Sequence, residues 1–113
     1  MRKVLCGVEE IPDCGATARD VESSTGGFSI LLTRVRGDVH AFHNECPHAA
    51  RRLDWAPGRF LIEGDTVVCA AHGAQFLLDS GRCIGGPCSG KRLVRLRLEE
   101  RNGNVYFMGF EDD

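Results

Sequence analysis

Two short clusters of metal-binding residue types lie near the middle of this 113-residue chain. The first is Cys46-Pro-His48 and the second is Cys69-Ala-Ala-His72. Each places a sulfur donor and an imidazole donor within one tight loop. Two sulfurs and two nitrogens suit a tetrahedral Zn²⁺ or an iron–sulfur centre, whereas hard cations prefer oxygen ligands. The pattern therefore predicts a metal centre with Cys46, His48, Cys69 and His72 as its ligands.

The spacing within the clusters bears on which metal they bind. Structural zinc sites usually have ligands about two to four residues apart in each half. The second cluster fits that spacing, but the first is tighter. Both clusters also mix cysteine with histidine, whereas zinc fingers with two cysteines and two histidines pair like with like. The residues alone place an iron–sulfur site only slightly ahead of zinc.

Four further cysteines raise the question of a disulfide scaffold. The chain start turns acidic at Glu9 and Glu10, too early for the apolar segment of a secretory signal. We therefore expect a cytoplasmic protein, in which thiols stay reduced and metal binding is the better interpretation. Cys6 and Cys83 lie in apolar, strand-like runs and are expected to be small buried hydrophobes. A Cys83–Cys88 bridge is not favoured, because it would need an oxidising compartment.

Composition limits the class of protein. Hydrophobic residues make up 42% and charged residues 27% of the chain, as in an ordinary globular domain of this length. The formal net charge of −2 gives no support for nucleic-acid binding. The apolar runs are only a few residues long, far short of the ~20 needed to span a membrane. We expect one globular domain that binds neither nucleic acid nor membrane.

Short apolar stretches separated by turn signals predict an all-β sandwich or barrel. Residues 28–35 and 39–42 flank Arg36-Gly37-Asp38, a hairpin turn signal. Asn102-Gly103 is a second such signal and predicts pairing of residues 93–99 with residues 105–110.

Two details follow from these patterns. Residues 93–99 alternate, which predicts a half-buried strand with Val94, Leu96 and Leu98 on its inner face. Residues 43–90 are rich in Gly and Pro and hold both ligand clusters. They are therefore expected to form a metal-binding subdomain, inserted into a β base of residues 1–42 and 91–113.

Three elements of this segment, taken in order, resemble the Rieske [2Fe-2S] family. They are Cys46-Pro-His48, then Cys69-x-x-His72-Gly73, then Gly81-x-Cys83-x-Gly85-Gly86-Pro87. The resemblance implies an antiparallel β-sandwich base with an inserted cluster-binding subdomain. It also implies one [2Fe-2S] cluster in which two histidines replace two cysteines on one iron. Position by position, Cys46 and Cys69 would bind the inner iron, and His48 and His72 the outer one. Gly85-Gly86-Pro87 would be the proline loop that covers the cluster.

The chain departs from the high-potential branch of that family. Those members have two bridged cysteines at the positions of Arg51 and Ala71, and serine and tyrosine hydroxyls at Ala74 and Phe76. Such hydroxyls donate hydrogen bonds to sulfur and raise the potential. Their absence here implies a low-potential centre, toward the lower end of the roughly −150 to +300 mV range of the class. Core packing is a compatible role for Ala74 and Phe76.

Residues around the first cluster allow further predictions. Arg51 and Arg52 are either solvated surface charges or a cationic patch that steers an acidic partner. Trp55 is expected to pack beneath the cluster. His40 and His43 precede the first cluster and are given no ligand role.

A Rieske cluster in an isolated domain implies single-electron transfer without substrate chemistry. An oxygenase would need a second iron held by two histidines and a carboxylate. With His48 and His72 used, only His40 and His43 remain, and the chain has no room for a second domain. The first hypothesis is therefore a soluble ferredoxin that is reduced by a reductase and oxidised by a terminal oxygenase or similar enzyme. The alternatives are a small subunit of a nitrite-reductase-like complex and, less favoured, a zinc-stabilised interaction domain.

Overall fold

Strands dominate the computed structural model, which describes residues 4–23, 26–47, 51–70, 73–88 and 90–110. In chain order they are β1 (Val4–Gly7), β2 (Gly15–Ser23), β3 (Gly26–Val35), β4 (Asp38–His43), β5 (Leu61–Glu63), β6 (Thr66–Val68), β7 (Gln75–Leu77), β8 (Cys83–Gly85), β9 (Arg95–Arg101) and β10 (Asn104–Phe110). The helical structure in this part of the chain is one 3-10 turn at Val8–Glu10. The all-β prediction is confirmed. No helix among the described residues is long and apolar enough to cross a bilayer.

The strands form two antiparallel sheets. The first has the order β1-β10-β9-β4-β3-β2, and the second has the order β5-β6-β7-β8. The strands of the first sheet come from residues 4–43 and 95–110, and those of the second from residues 61–85. The sheets thus follow the two sides of the expected division into base and inserted subdomain, a division that remains a prediction.

Both hairpins form at their turn signals. Arg36 and Gly37 have φ angles of 51° and 86°, and Asn102 and Gly103 have 53° and 80°. Two consecutive residues with positive φ are the signature of a type I′ turn, whose twist matches that of the flanking strands. Glycine and asparagine adopt this conformation at little cost, which is why the sequence marks the turns so clearly.

The expected inner face of residues 93–99 is correct for Leu96 but wrong for Val94. The strand begins at Arg95, and Val94 is 50% exposed while its carbonyl accepts a hydrogen bond from the His43 N–H at 2.8 Å. Leu93 is buried instead. Side chains alternate between the two faces of a sheet only within a strand. Leu93 and Val94 precede the strand, so the alternating pattern does not predict which of them is buried.

Strand β3 is buried on both faces, which explains its unbroken apolar run. Ile30 and Leu32 belong to a hydrophobic core that is formed by residues of the six-stranded sheet, such as Leu96 and Val105. Leu31 lies in a second core, together with residues of the four-stranded sheet such as Phe76. Successive side chains of a strand point to opposite sides, so a strand covered on both sides is apolar throughout.

Thr33 links β3 to the residue directly after β7 by a buried hydrogen bond. Its Oγ1 donates to the Leu78 carbonyl oxygen at 2.6 Å, and its side chain is fully buried. A buried carbonyl that loses its donor carries a desolvation cost of about 1–3 kcal/mol.

Replacing Thr33 by valine keeps the shape of the side chain and removes the hydroxyl. We expect Thr33→Val to lower the free energy of unfolding by about 1–3 kcal/mol, because the Leu78 carbonyl loses its partner. Thr17→Val on the edge strand β2 is the matched control, since that hydroxyl accepts a hydrogen bond from the half-buried Arg19 side chain and not from a buried partner among the described residues. Urea titration of both variants measures the difference, and equal midpoints would contradict the role given to Thr33.

Candidate metal centre

The two candidate ligand cysteines lie in one buried core between the sheets. Cys46 is 0% and Cys69 1% exposed, and both belong to the core that contains Leu31 and Phe76. Cys46 lies just beyond the end of β4, and Cys69 directly follows β6. His48 and His72 lie outside the described residues.

The loops that begin at these cysteines are closed in the same way. The Cys46 N–H donates to the Arg51 carbonyl, and the Cys69 N–H donates to the Ala74 carbonyl, each at 2.7 Å. Both bonds span five residues, and each loop encloses one of the candidate histidines in the sequence. The two loops therefore begin with the same backbone hydrogen bond, a similarity that the sequence spacing does not reveal.

Asn44 anchors the first loop, and sequence reasoning missed it. Its side chain is buried, donates to Ser29 Oγ at 3.1 Å and accepts from the Leu53 N–H at 3.1 Å. A polar residue two positions before Cys46 was the available signal. Its partners are distant in the sequence, so the role emerges only from the fold.

A third loop lies against the second ligand loop. Gly86 has a φ of +82°, and a Cβ there would lie 2.9 Å from the Gly73 carbonyl oxygen and 2.8 Å from the Ala74 Cα. Gly86 therefore allows a close approach that no larger residue permits. The loop encloses residues 84–87 and joins Cys83 to Cys88.

Cys83 and Cys88 form a disulfide, so the expectation against this bridge is wrong. Their Cα atoms lie 5.8 Å apart, within the usual range for a bridge, and Cys88 is fully buried. The Gly-Gly-Pro turn between them reverses the chain and brings the two side chains together. The bridge includes neither candidate ligand.

Ala74 and Phe76 are fully buried in the core that holds both cysteines. Their predicted packing role is confirmed. Neither side chain carries a hydrogen-bond donor, so neither can donate to a sulfur of the centre.

The arginines after the first loop differ from each other. Arg51 is exposed and uses its carbonyl to close the loop. Arg52 is also exposed and forms a bidentate pair with Asp54 at 2.7 and 2.9 Å, so it is a surface charge with a carboxylate partner. Burial favours a higher pKa for Asp54, but the hydrogen bonds from Arg52 and the Gly58 N–H outweigh it and lower that pKa. Trp55 is 62% exposed, so the expectation that it packs beneath the centre is wrong.

His40 and His43 lie on β4, outside both ligand loops. Burial and the Arg95 guanidinium, whose Nη1 lies 3.3 Å from His40 Nδ1, lower the pKa of His40. His43 packs edge-on against Phe28, with ring centroids 5.6 Å apart. Both side chains therefore have partners away from the two candidate cysteines.

The fold and the paired cysteine loops define a small β protein with a sulfur-containing metal centre. The family model described as the Rieske [2Fe-2S] domain matches residues 2–100. The chain belongs to this family, and its cofactor is a Rieske-type [2Fe-2S] cluster. Two buried cysteines in equivalent loops, each loop with one histidine in its sequence, make a donor set that fits this cluster. The zinc alternative is thereby wrong.

Known proteins of similar length and fold agree with the family. The chain is 30% identical over 108 residues to the 3-phenylpropionate/cinnamic acid dioxygenase ferredoxin subunit of Photorhabdus laumondii, covering 96% of this chain and 94% of that one. It is 27% identical over 103 residues to the biphenyl dioxygenase ferredoxin subunit of Pseudomonas sp. strain KKS102, covering 90% and 88%. The solved ferredoxin of carbazole 1,9a-dioxygenase from Nocardioides aromaticivorans IC177 has the same fold, with a TM-score of 0.74 at 20% identity and coverage of 96% and 98%.

Proposed function

We propose that this chain is the ferredoxin component of an oxygenase system, a one-electron carrier between a reductase and a terminal oxygenase. The observation that carries the proposal is the pair of buried cysteines, held in two loops with identical backbone closure. The near full-length similarity to ferredoxin subunits of dioxygenases supports it. The chain's role is electron transfer, and the chemistry on the organic substrate belongs to the partner enzyme.

We assign the cluster ligands as Cys46 and Cys69 on the inner iron and His48 and His72 on the outer iron. The burial of both cysteines supports the inner position. When bound, the cluster accepts and releases one electron. The chain holds the sulfurs in place through the two closed loops, and partners would dock at the edge that carries His48 and His72.

Two further parts of the proposal concern organisation and location. We propose that residues 43–90 form the cluster-binding subdomain, inserted into the base of residues 1–42 and 91–113. The sheet composition supports this division. We also propose a cytoplasmic location. The Cys83–Cys88 bridge would then lie in a reducing compartment, where disulfides are usually transient.

The reduction potential is expected to be low. Hydrogen bonds to sulfur stabilise the reduced cluster, and the buried Ala74 and Phe76 side chains supply none. Spectroelectrochemical titration should give a midpoint toward the lower end of the roughly −150 to +300 mV range of the class. A strongly positive midpoint would contradict this expectation.

The carrier role is tested by anaerobic mixing. A flavin-dependent ferredoxin reductase with NADH should bleach the visible absorbance of the purified protein, and an oxidised Rieske oxygenase should then restore it. The protein stripped of its cluster is the control and should show neither change.

Two results would count against the role. One is a cluster that no such reductase reduces, although dithionite does. The other is co-purification at fixed stoichiometry with a large reductase, which would favour the nitrite-reductase-like subunit.

A further inference from the structure

The Cys83–Cys88 bridge lies in a loop that touches the cluster-binding region. The bridge spans residues 84–87, and Gly86 within this loop packs against Gly73 and Ala74 of the second ligand loop. Neither sulfur belongs to the proposed set of cluster ligands. The pair is therefore a second sulfur site, and its chemistry is independent of the ligand assignment.

One residue of the bridge is more exposed than the other. Cys88 is fully buried, whereas Cys83 is half-buried and lines an open cleft of about 810 Å³. Residue exposure therefore favours the approach of a small thiol or an exposed dithiol loop from the side of Cys83. Access decides which sulfur of a disulfide is attacked.

The cleft carries excess positive charge. Three cations line it, namely Arg82, Lys91 and Arg92, whereas Asp79 is the one carboxylate among its described lining residues. None of the three cations forms an ion pair with a carboxylate in the described part of the chain. The nucleophile in thiol–disulfide exchange is a thiolate, and positive charge attracts and stabilises it.

The reduced form also fits the loop. The Gly85 carbonyl oxygen lies 3.2 Å from Cys83 Sγ and 3.6 Å from Cys88 Sγ. Once each sulfur carries a hydrogen, this oxygen can accept from both thiols without a large movement of the loop. Backbone bonds between the Cys83 N–H and the Lys91 carbonyl, and between the Lys91 N–H and the Cys88 carbonyl, hold the flanking chain in either state.

We propose that Cys83 and Cys88 form a thiol–disulfide exchange site that takes electrons from a dithiol. A thiolate of the dithiol attacks Cys83 Sγ, the bond to Cys88 Sγ breaks, and Cys88 leaves as a thiolate that takes up a proton. The second thiol of the donor then attacks its own sulfur in the mixed disulfide and releases Cys83, which is protonated in turn. Two electrons and two protons pass to the protein, and the dithiol becomes a disulfide.

The sequence allows a direct assay on the holoprotein. Trypsin cleaves after Arg82 and Lys91, so both cysteines fall on one peptide of residues 83–91. The holoprotein is incubated with oxidised glutathione, exposed to dithiothreitol for set times, denatured, alkylated with iodoacetamide and digested. Before dithiothreitol is added, we expect this peptide to lack alkyl groups and to be lighter by two hydrogens than its dithiol form. Afterwards it should carry two alkyl groups, with the visible absorbance retained.

Charge variants test the role of the cleft. Lys91→Gln, whose tryptic peptide extends to Arg92, should slow the reduction roughly twofold to fivefold at low ionic strength and weaken its salt dependence. The attacking thiolate loses an attracting charge in this variant. Arg59→Gln, an exposed arginine outside the cleft, is the matched control and should leave the rate unchanged.

Three outcomes would overturn the proposal. The first is failure of oxidised glutathione to form the bridge. The second is a bridge that dithiothreitol reduces only after the protein unfolds, which would make it purely structural. The third is an equal effect of Lys91→Gln and Arg59→Gln on the rate.

Discussion

Replacing Cys69 by alanine is expected to abolish cluster binding. The variant should contain no acid-labile sulfide and lose its visible absorbance, because the inner iron loses one of its two proposed thiolate ligands. Iron content should fall at least about tenfold relative to the unmodified protein, since metal sites depend on their full ligand set. Elemental analysis and a sulfide assay on the purified protein measure both quantities.

Cys6→Ala is the matched control for this variant. Cys6 is also a buried cysteine, but it lies in the core inside the six-stranded sheet. Burial raises the pKa of its thiol, and it lies outside both ligand loops. Cys6→Ala should retain iron and sulfide. A Cys69→Ala protein with normal sulfide content would refute the ligand assignment.

Gly86→Ala should damage the contact between the proline loop and the second ligand loop. Its Cβ would meet the Gly73 carbonyl and the Ala74 Cα at distances that side chains do not reach without movement of the backbone. Overpacking of this kind typically costs about 1–3 kcal/mol. Strain from the positive φ adds about 1–2 kcal/mol. We expect a lower urea midpoint and faster loss of the visible absorbance in the presence of an iron chelator.

Gly90→Ala separates the two contributions to this effect. Gly90 has the same φ of +82°, but apart from its own chain neighbours no atom of the described residues lies within 4 Å of the position that a Cβ would take there. The two variants therefore share the backbone strain and differ in the contact. Gly90→Ala should lose only about 1–2 kcal/mol and keep its cluster. Equal urea midpoints and equal rates of absorbance loss for the two variants would show that the contact with the ligand loop does not contribute to stability.

Local signals make much of the fold predictable. The hairpins at Arg36-Gly37 and Asn102-Gly103 depend on a few neighbouring residues, and the structure has both. The cysteine loops are recognisable from spacing and family resemblance alone. The role of Asn44 is not predictable, because it depends on Ser29 and Leu53, which only the fold brings near.

The wrong predictions also concern features that depend on loop geometry rather than on neighbouring residues in the sequence. Large aromatic residues are usually buried, which favours a packed Trp55, but its loop leaves it exposed. The expected compartment argues against the Cys83–Cys88 bridge, although the turn between the two residues brings them together. Arg52 lies on the surface as expected, but the sequence does not reveal its partner, since a pair with Asp54 two residues away depends on loop geometry.

The matching backbone bonds of Cys46 and Cys69 bear on how fast charge can move. When a carrier gains or loses an electron, any atoms that must shift add a reorganisation energy to the activation barrier. Donors and dipoles that are already fixed add little of it. Both cysteines are buried and their backbone N–H groups are hydrogen-bonded within their own loops, so the residues that carry the two sulfurs have little room to shift. The chain is thus built to exchange electrons with a small nuclear rearrangement, and fast self-exchange between oxidised and reduced molecules is the expected kinetic signature.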